Sequence, residues 1–484
     1  MKYILMCLLF APILYLVIRQ KRKLYLYLLF AFLTVLPEQF GVDLHEKLPM
    51  ITGTRVLILV LAAFWLWDRW KEKRLILPIS LVSFFAVNLI ISCVNFRFGL
   101  GEINRIFILI FERVLLAVMI ADSIDSRETF DRCIDFLILG ASVLAVLGIV
   151  QTIFEYDITT VLHLETTLSS SIHLQRRMGL ERAFGTFNPI SFGCYCAMII
   201  LLVFYRIYNT KKLYYSAALA LIICALICTL TRSAWLCIAG VFLVMAVYCG
   251  KKLLKRLLPA AAMTVALCLV LCLFQPYLGR ALLETGKSSI NTVLGILPDE
   301  VVAMILPEDD SDDSGNSSNK LEFELDEDFG INGEDPTYSR MAQWTAVEHM
   351  FMEGNGLFGL GYNALPEGRI HFYFDRWGAV WEPTTFLDVG LVALIADSGI
   401  LGAVALIGLL GFMLVYAFRR RDRENRMDFY HIVIYMIPLF LLLNFLASFM
   451  FEETVWLFIS LFYAYKALDN KQQRDRECLI LTTK

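Results

Sequence analysis

Charge is what this chain has least of. Lys, Arg, Asp and Glu make up 18% of its 484 residues and there are six histidines, while 58% of the residues are hydrophobic and the mean hydropathy is +0.64. Soluble domains carry about 25% charged and about 45–50% apolar residues, so an ordinary water-soluble globule is excluded. No P-loop, no Ser-His-Asp order and no zinc-ligand spacing occurs, and His349 and His371 stand apart from other ligand-type residues, so no metal or cofactor is expected. The twelve cysteines lie mostly in or beside apolar runs, and the long loop from Pro276 to Phe386 has none, which argues against a disulfide framework. No internal repeat supports the inverted-repeat architecture of secondary transporters, and no nucleic-acid partner is expected.

What is present is a series of apolar runs separated by short charged loops. Their lengths, about 17 to 25 residues, suit helices crossing roughly 30 Å of hydrocarbon. The expected fold is an all-α polytopic integral membrane protein, a bundle of about 12–13 transmembrane helices with one large extracytoplasmic loop. Residues 1–275 form an N-terminal bundle of about ten spans, the first read as uncleaved. Residues 276–387 form the large loop, with an acidic low-complexity insert at 308–335 too polar to bury a core; residues 388–466 return to the membrane and 467–484 form a cytoplasmic tail. Basic clusters at Arg19 to Lys23, Lys251 to Arg256 and Arg419 to Arg426 fall in alternate loops, which places them in the cytoplasm of a multi-pass cell-membrane protein.

Four polar constellations then fall on the outer side. In Arg182-Ala183-Phe184-Gly185-Thr186-Phe187-Asn188-Pro189, Asn188 suits a helix cap and Pro189 the first helical position. That helix start either holds an anion at its free amides or is an ordinary capped end with an interfacial arginine. Arg232, in the tight turn Thr229-Leu230-Thr231-Arg232-Ser233, either works between two spans or snorkels to headgroups. Arg340 and Trp344, four apart, share a helix face ahead of Gly356-Leu357-Phe358-Gly359-Leu360-Gly361, where backbone approaches closely or the chain simply turns. Asp388 opens a span; a carboxyl there serves either function or helix capping. Glu112-Arg113 lies mid-span, and adjacent helical residues diverge, so each needs a partner on another helix.

Together these stretches resemble the O-antigen ligase and polysaccharide polymerase family over roughly Arg182 to Leu410. The matching features are Arg182 ahead of Asn188-Pro189, Thr229-Leu230-Thr231-Arg232, Arg340 in the large loop, Gly359-Leu360-Gly361, and Asp388-Val389 before Gly399-Ile400-Leu401-Gly402. The ligase branch is similar in having histidine where this chain has Asp388, and the acidic version looks more like the polymerising branch. Val389 stands where the resemblance expects asparagine.

The resemblance implies glycosyl transfer on the extracytoplasmic face, in the lipid bilayer, from a polyprenyl-diphosphate-linked oligosaccharide, with a flippase and a chain-length regulator as further partners. It implies Arg182 and Arg340 on the diphosphate, since guanidinium binds phosphate oxygens bidentately and stays charged, with Arg232 as a third cation. Asp388 becomes the base for the acceptor hydroxyl. Asn188, Gly359 and Gly361 would line the substrate, while Trp344, Trp377 and Trp381 either stack on sugars or anchor at the interface. Three alternatives remain at this point: ligation of glycan to a lipid or protein acceptor, a flippase for lipid-linked sugars, and a sensor or scaffold that only binds sugar and would tolerate loss of Asp388.

Overall fold

The computed structural model describes residues 21–36, 41–42, 51–72, 78–96, 106–155, 176–177, 180–210, 212–294, 343–344, 347–348, 350–352, 354–361, 370–374, 380–384, 389–422, 427–446 and 453–482, with Ala11, Tyr15 and Arg19 singly. In chain order the helices are α1 (Arg22–Phe32), α2 (Gly53–Glu72), α3 (Ile79–Val94), α4 (Leu116–Ser123, entered through a π-helical turn at Leu109–Leu115), α5 (Arg127–Phe154), α6 (Pro189–Asn209), α7 (Leu213–Cys228) and α8 (Arg232–Cys249). They continue as α9 (Lys251–Phe274), α10 (Pro276–Leu294), α11 (Gly390–Arg420), α12 (Phe429–Leu446) and α13 (Glu453–Thr482). Six of these, α5, α6, α8, α9, α11 and α12, are long and apolar enough to cross a membrane, and α3 and α7 are shorter apolar helices.

The architecture is helical, as composition requires, with three two-stranded antiparallel ribbons as its β-structure among the described residues. Two ribbons pair only two residues per strand: β1 (Gly41–Val42) with β2 (Ile51–Thr52), and β3 (Arg176–Arg177) with β4 (Leu180–Glu181). The third, β5 (Ile370–Phe374) with β6 (Val380–Thr384), pairs Tyr373 with Trp381 and is a hairpin the apolar pattern did not announce. Its strands are short and aromatic, and a hydropathy reading registers such segments only as interrupted apolar runs.

At the centre stands α6, buried along nearly its whole length and wrapped by α5, α7, α8 and α12. Lipid offers no polar partner, and three sites inside the bundle pair their ionisable residues across helices. Arg206, near the end of α6, bridges Asp131 (2.7 Å) and Asp135 (2.8 Å) of α5 and donates to the Tyr215 hydroxyl of α7. Glu112 takes its partner from another helix, Arg55 of α2, within the π-helical turn. Asp122 accepts from the Trp65 indole (2.7 Å) and pairs with Arg69 (2.6 Å).

The ends of the helices sort into two sets. Asn209, closing α6, donates to the Met427 carbonyl just ahead of α12 at 2.9 Å, and Cys249, closing α8, lies 3.9 Å from the Met427 sulfur. Since α11 ends at Arg420 a short turn earlier, α6, α8 and α11 all finish at this basic end. The first residues of α6 and α8, Pro189 and Arg232, therefore share the opposite end, toward which α11 runs back from Arg420 as far as its break at Gly399.

Candidate active site

At that opposite end the sequence folds two glycine-containing turns against helix starts. Asn188 caps α6, its Oδ1 accepting from the Ser191 N–H at 2.7 Å with Pro189 in the first turn, as the sequence anticipates. The preceding turn, with Gly185 at φ +59°, is held by Gln151 of α5, whose Oε1 accepts from the Gly185 N–H (2.8 Å) while its Nε2 donates to the Gly185 carbonyl (2.9 Å). Arg182 is 8% exposed. Its Nε donates to the Thr229 carbonyl (2.7 Å) and Nη2 to the Thr231 hydroxyl (3.0 Å), which in turn donates to the Pro189 carbonyl at 3.1 Å. The link to the α7–α8 turn is repeated in the backbone, Ala183 N–H to Cys228 carbonyl at 3.0 Å.

This brings two constellations of the sequence into one structure. The starts of α6 and α8 converge on Thr231, and a Cβ on Gly193 would lie 2.9 Å from the Thr231 Cβ, so glycine is what lets the helices approach. Arg232 is the first residue of α8 and half-buried, set into a turn where Leu230 takes φ +51°. Each helix start carries a partial positive charge, and Arg182 and Arg232 add two cations to it, with the buried carboxyl of Glu181 next to Arg182 in sequence.

The other two constellations also join each other. The 31-residue α11 is broken at Gly399, which takes φ 64° and ψ −168°. Helix kinks of this kind occur at Gly/Ser pairs, here Ser398-Gly399. Four backbone groups around the break are taken up by the glycine turn. The Leu360 and Gly361 N–H groups donate to the Ala396 and Asp397 carbonyls (2.9 and 3.0 Å), and the Ile400 and Leu401 N–H groups donate to the Gly356 and Leu357 carbonyls (3.0 and 3.2 Å). A Cβ on Gly359 would fall 2.5 Å from the Gly399 nitrogen, and Gly359 and Gly361 adopt φ +68° and +98°. The run is therefore more than a loop turn: it is the backbone partner of a broken helix. Non-helical backbone at membrane depth is tolerated where protein satisfies it. Asn95, closing α3, braces the same turn by donating to the Phe358 carbonyl at 3.2 Å.

Ahead of the glycine turn the chain is helical at Gln343-Trp344, Val347-Glu348 and Met350–Met352. Val347 and Met350 pack on Val389, Val392, Ala393 and Ala396 of the α11 start, and Gln343 accepts from the Val389 N–H at 3.2 Å. Trp344 is 37% exposed. Arg340 and Asp388 lie outside the described residues, as do the side chains of Trp377 and Trp381. Their chain neighbours Gln343 and Val389 are in contact. Sequence reading passed over Gln343 and Gln151, since a lone glutamine carries no motif, and over Asp397, 3% exposed beside the helix break.

Apolar helices of spanning length and buried ion pairs define a polytopic membrane protein, with its polar turns gathered at one end. Residues 217–407 match the family model for O-antigen ligase, a stretch that includes the Thr229–Ser233 turn, the glycine turn and the break at Gly399. The match supports an O-antigen ligase/polymerase-like family, and with it a glycosyl-transferring enzyme in general terms. No curated protein matches this chain.

Proposed function

We propose that the protein polymerises oligosaccharide repeat units carried on polyprenyl diphosphate, working on the extracytoplasmic face of the cell membrane. The observation that carries this reading is the convergence of the α6 and α8 starts on Arg182 and Arg232, a cationic locus at the end of the bundle away from the basic loops. Basic loops stay in the cytoplasm, which supports an outward-facing locus, where nucleotide sugars are absent and a lipid diphosphate would be the activated donor.

The acceptor hydroxyl of one repeat unit attacks the anomeric carbon of another. A new carbon–oxygen bond forms there, the bond to the diphosphate oxygen breaks, and the lipid diphosphate leaves with the electron pair. Asp388 takes the hydroxyl proton. Arg340, Arg182 and Arg232 offset the charge growing on the leaving group, a role that is strongest in a dry, preorganised site. Asn188, Trp344, Gly359, Gly361 and Trp381 shape the sugar path.

Ligation of finished glycan to a separate acceptor uses the same donor chemistry, and the matched family carries that name; the aspartate at 388 is what favours polymerisation. Asp388→Asn, inserted at normal level, is expected to abolish polymer while lipid-linked repeat units accumulate, as read by gel of surface glycan and by mass spectrometry of lipid extracts. Unchanged chain length would overturn the mechanism. Loss of transfer only to a foreign acceptor would mark a ligase, and loss of outward lipid-linked units a flippase.

A further inference from the structure

We propose that Gln343 is a positioning residue for this reaction, acting as a helix cap supplied from outside the helix it caps. The first N–H groups of a helix have no intrahelical acceptor. In a capping box, a Glu or Gln three residues into the helix reaches back to the N–H of the cap residue. In α11 the cap residue is Val389, with extended backbone (φ −106°, ψ 113°) and no side-chain cap of its own, and the third helical residue is Val392, which has no acceptor to offer. The vacant role is taken by Gln343, separated from Val389 by 46 positions, 2% exposed, its Oε1 accepting from the Val389 N–H at 3.2 Å.

A cap made this way exists only while the segment carrying Gln343 is docked. Val347 and Met350 seat that segment on the first two turns of α11, and the glycine turn binds it again at the Gly399 break. Gln343 is three residues after Arg340, and Val389 is the residue after Asp388. The bond therefore ties the backbone next to the proposed base to the segment that presents a proposed diphosphate cation. Gln343 joins the two stretches that carry these residues in sequence, without itself touching substrate. The inference rests on the reading of Asp388 and Arg340 given above.

The test compares Gln343→Met, which keeps length and removes the acceptor, with Gln343→Glu, which keeps an acceptor oxygen. Full-length protein is assayed in membranes containing the host's own lipid-linked repeat units. One net hydrogen bond and its geometric consequence predict roughly a 10-fold fall in kcat for Gln343→Met with KM within about two-fold, and recovery to within about three-fold for Gln343→Glu. Amide exchange at Val389 is expected to quicken in Gln343→Met alone. Full turnover in Gln343→Met, or equal losses in both variants, overturns the proposal. Lost protection across both 343–361 and 389–401 also overturns it, marking Gln343 as a general stabiliser. Should Asp388→Asn keep full activity, the reading of the base fails, while the exchange result at Val389 still decides the cap.

Discussion

Arg182 donates from two nitrogens to two different acceptors on the α7–α8 turn, the Thr229 carbonyl and the Thr231 hydroxyl. Lysine has a point charge on a flexible stem and cannot reproduce a planar fork that reaches both. Arg182→Lys is therefore expected to loosen the joint between the α6 and α8 starts while keeping the charge. Hydrogen bonds to charged groups contribute about 1.5–3 kcal/mol, so the variant should fall at least about 10-fold in polymer yield even where membrane protein level is held within about two-fold. Yield relative to immunoblot level checks this; a yield equal to wild type would show that charge alone suffices. The sequence singled out Arg182, Asn188 and the Thr229–Arg232 turn separately. That Arg182 belongs to the turn could not be read, because 47 residues separate it from Thr229 and no periodicity spans such a gap.

At the scale of elements, the helix break and the glycine turn are one device. Both glycine runs were legible as motifs in the sequence; their pairing was not, since each looks like an ordinary turn or packing site by itself. Gly399 faces a double constraint, because its φ of +64° disfavours a side chain and a Cβ would overlap the Leu357 carbonyl backbone. A residue with a Cβ in such a conformation costs about 1–3 kcal/mol before any overlap is counted. Gly408, later in the same helix, has nothing within 4 Å of a built Cβ. Gly399→Ala should lower the melting temperature in detergent and cut yield, whereas Gly408→Ala should leave yield unchanged and stability unchanged or raised by up to about 1 kcal/mol. Similar melting for the two variants would mean that the break is not held by the glycine turn.

For the whole molecule, the packing order of α5, α7 and α9 follows from contacts between helices remote in sequence. Cys224 of α7 and Cys268 of α9 bring their sulfurs to 3.6 Å, although neither belongs to a cysteine motif. Mild oxidation with a copper–phenanthroline catalyst should join the two, read as a linked fragment pair after cleavage in the α7–α9 region, and Cys224→Ala should abolish the link. Absence of cross-linking in the native membrane would contradict this packing.

The sequence by itself determined that the chain lives in a membrane, that its backbone is helical, and which polar turns were candidates, because hydropathy and capping are local properties that each segment carries alone. Only the tertiary structure decided how those turns pair: Arg182 with the α7–α8 turn, the glycine run with the break in α11, and Gln343 with the helix start at Val389. Those contacts join residues from different helices, and they form because a helix end or a broken helix leaves backbone groups that lipid cannot satisfy and another part of the chain must.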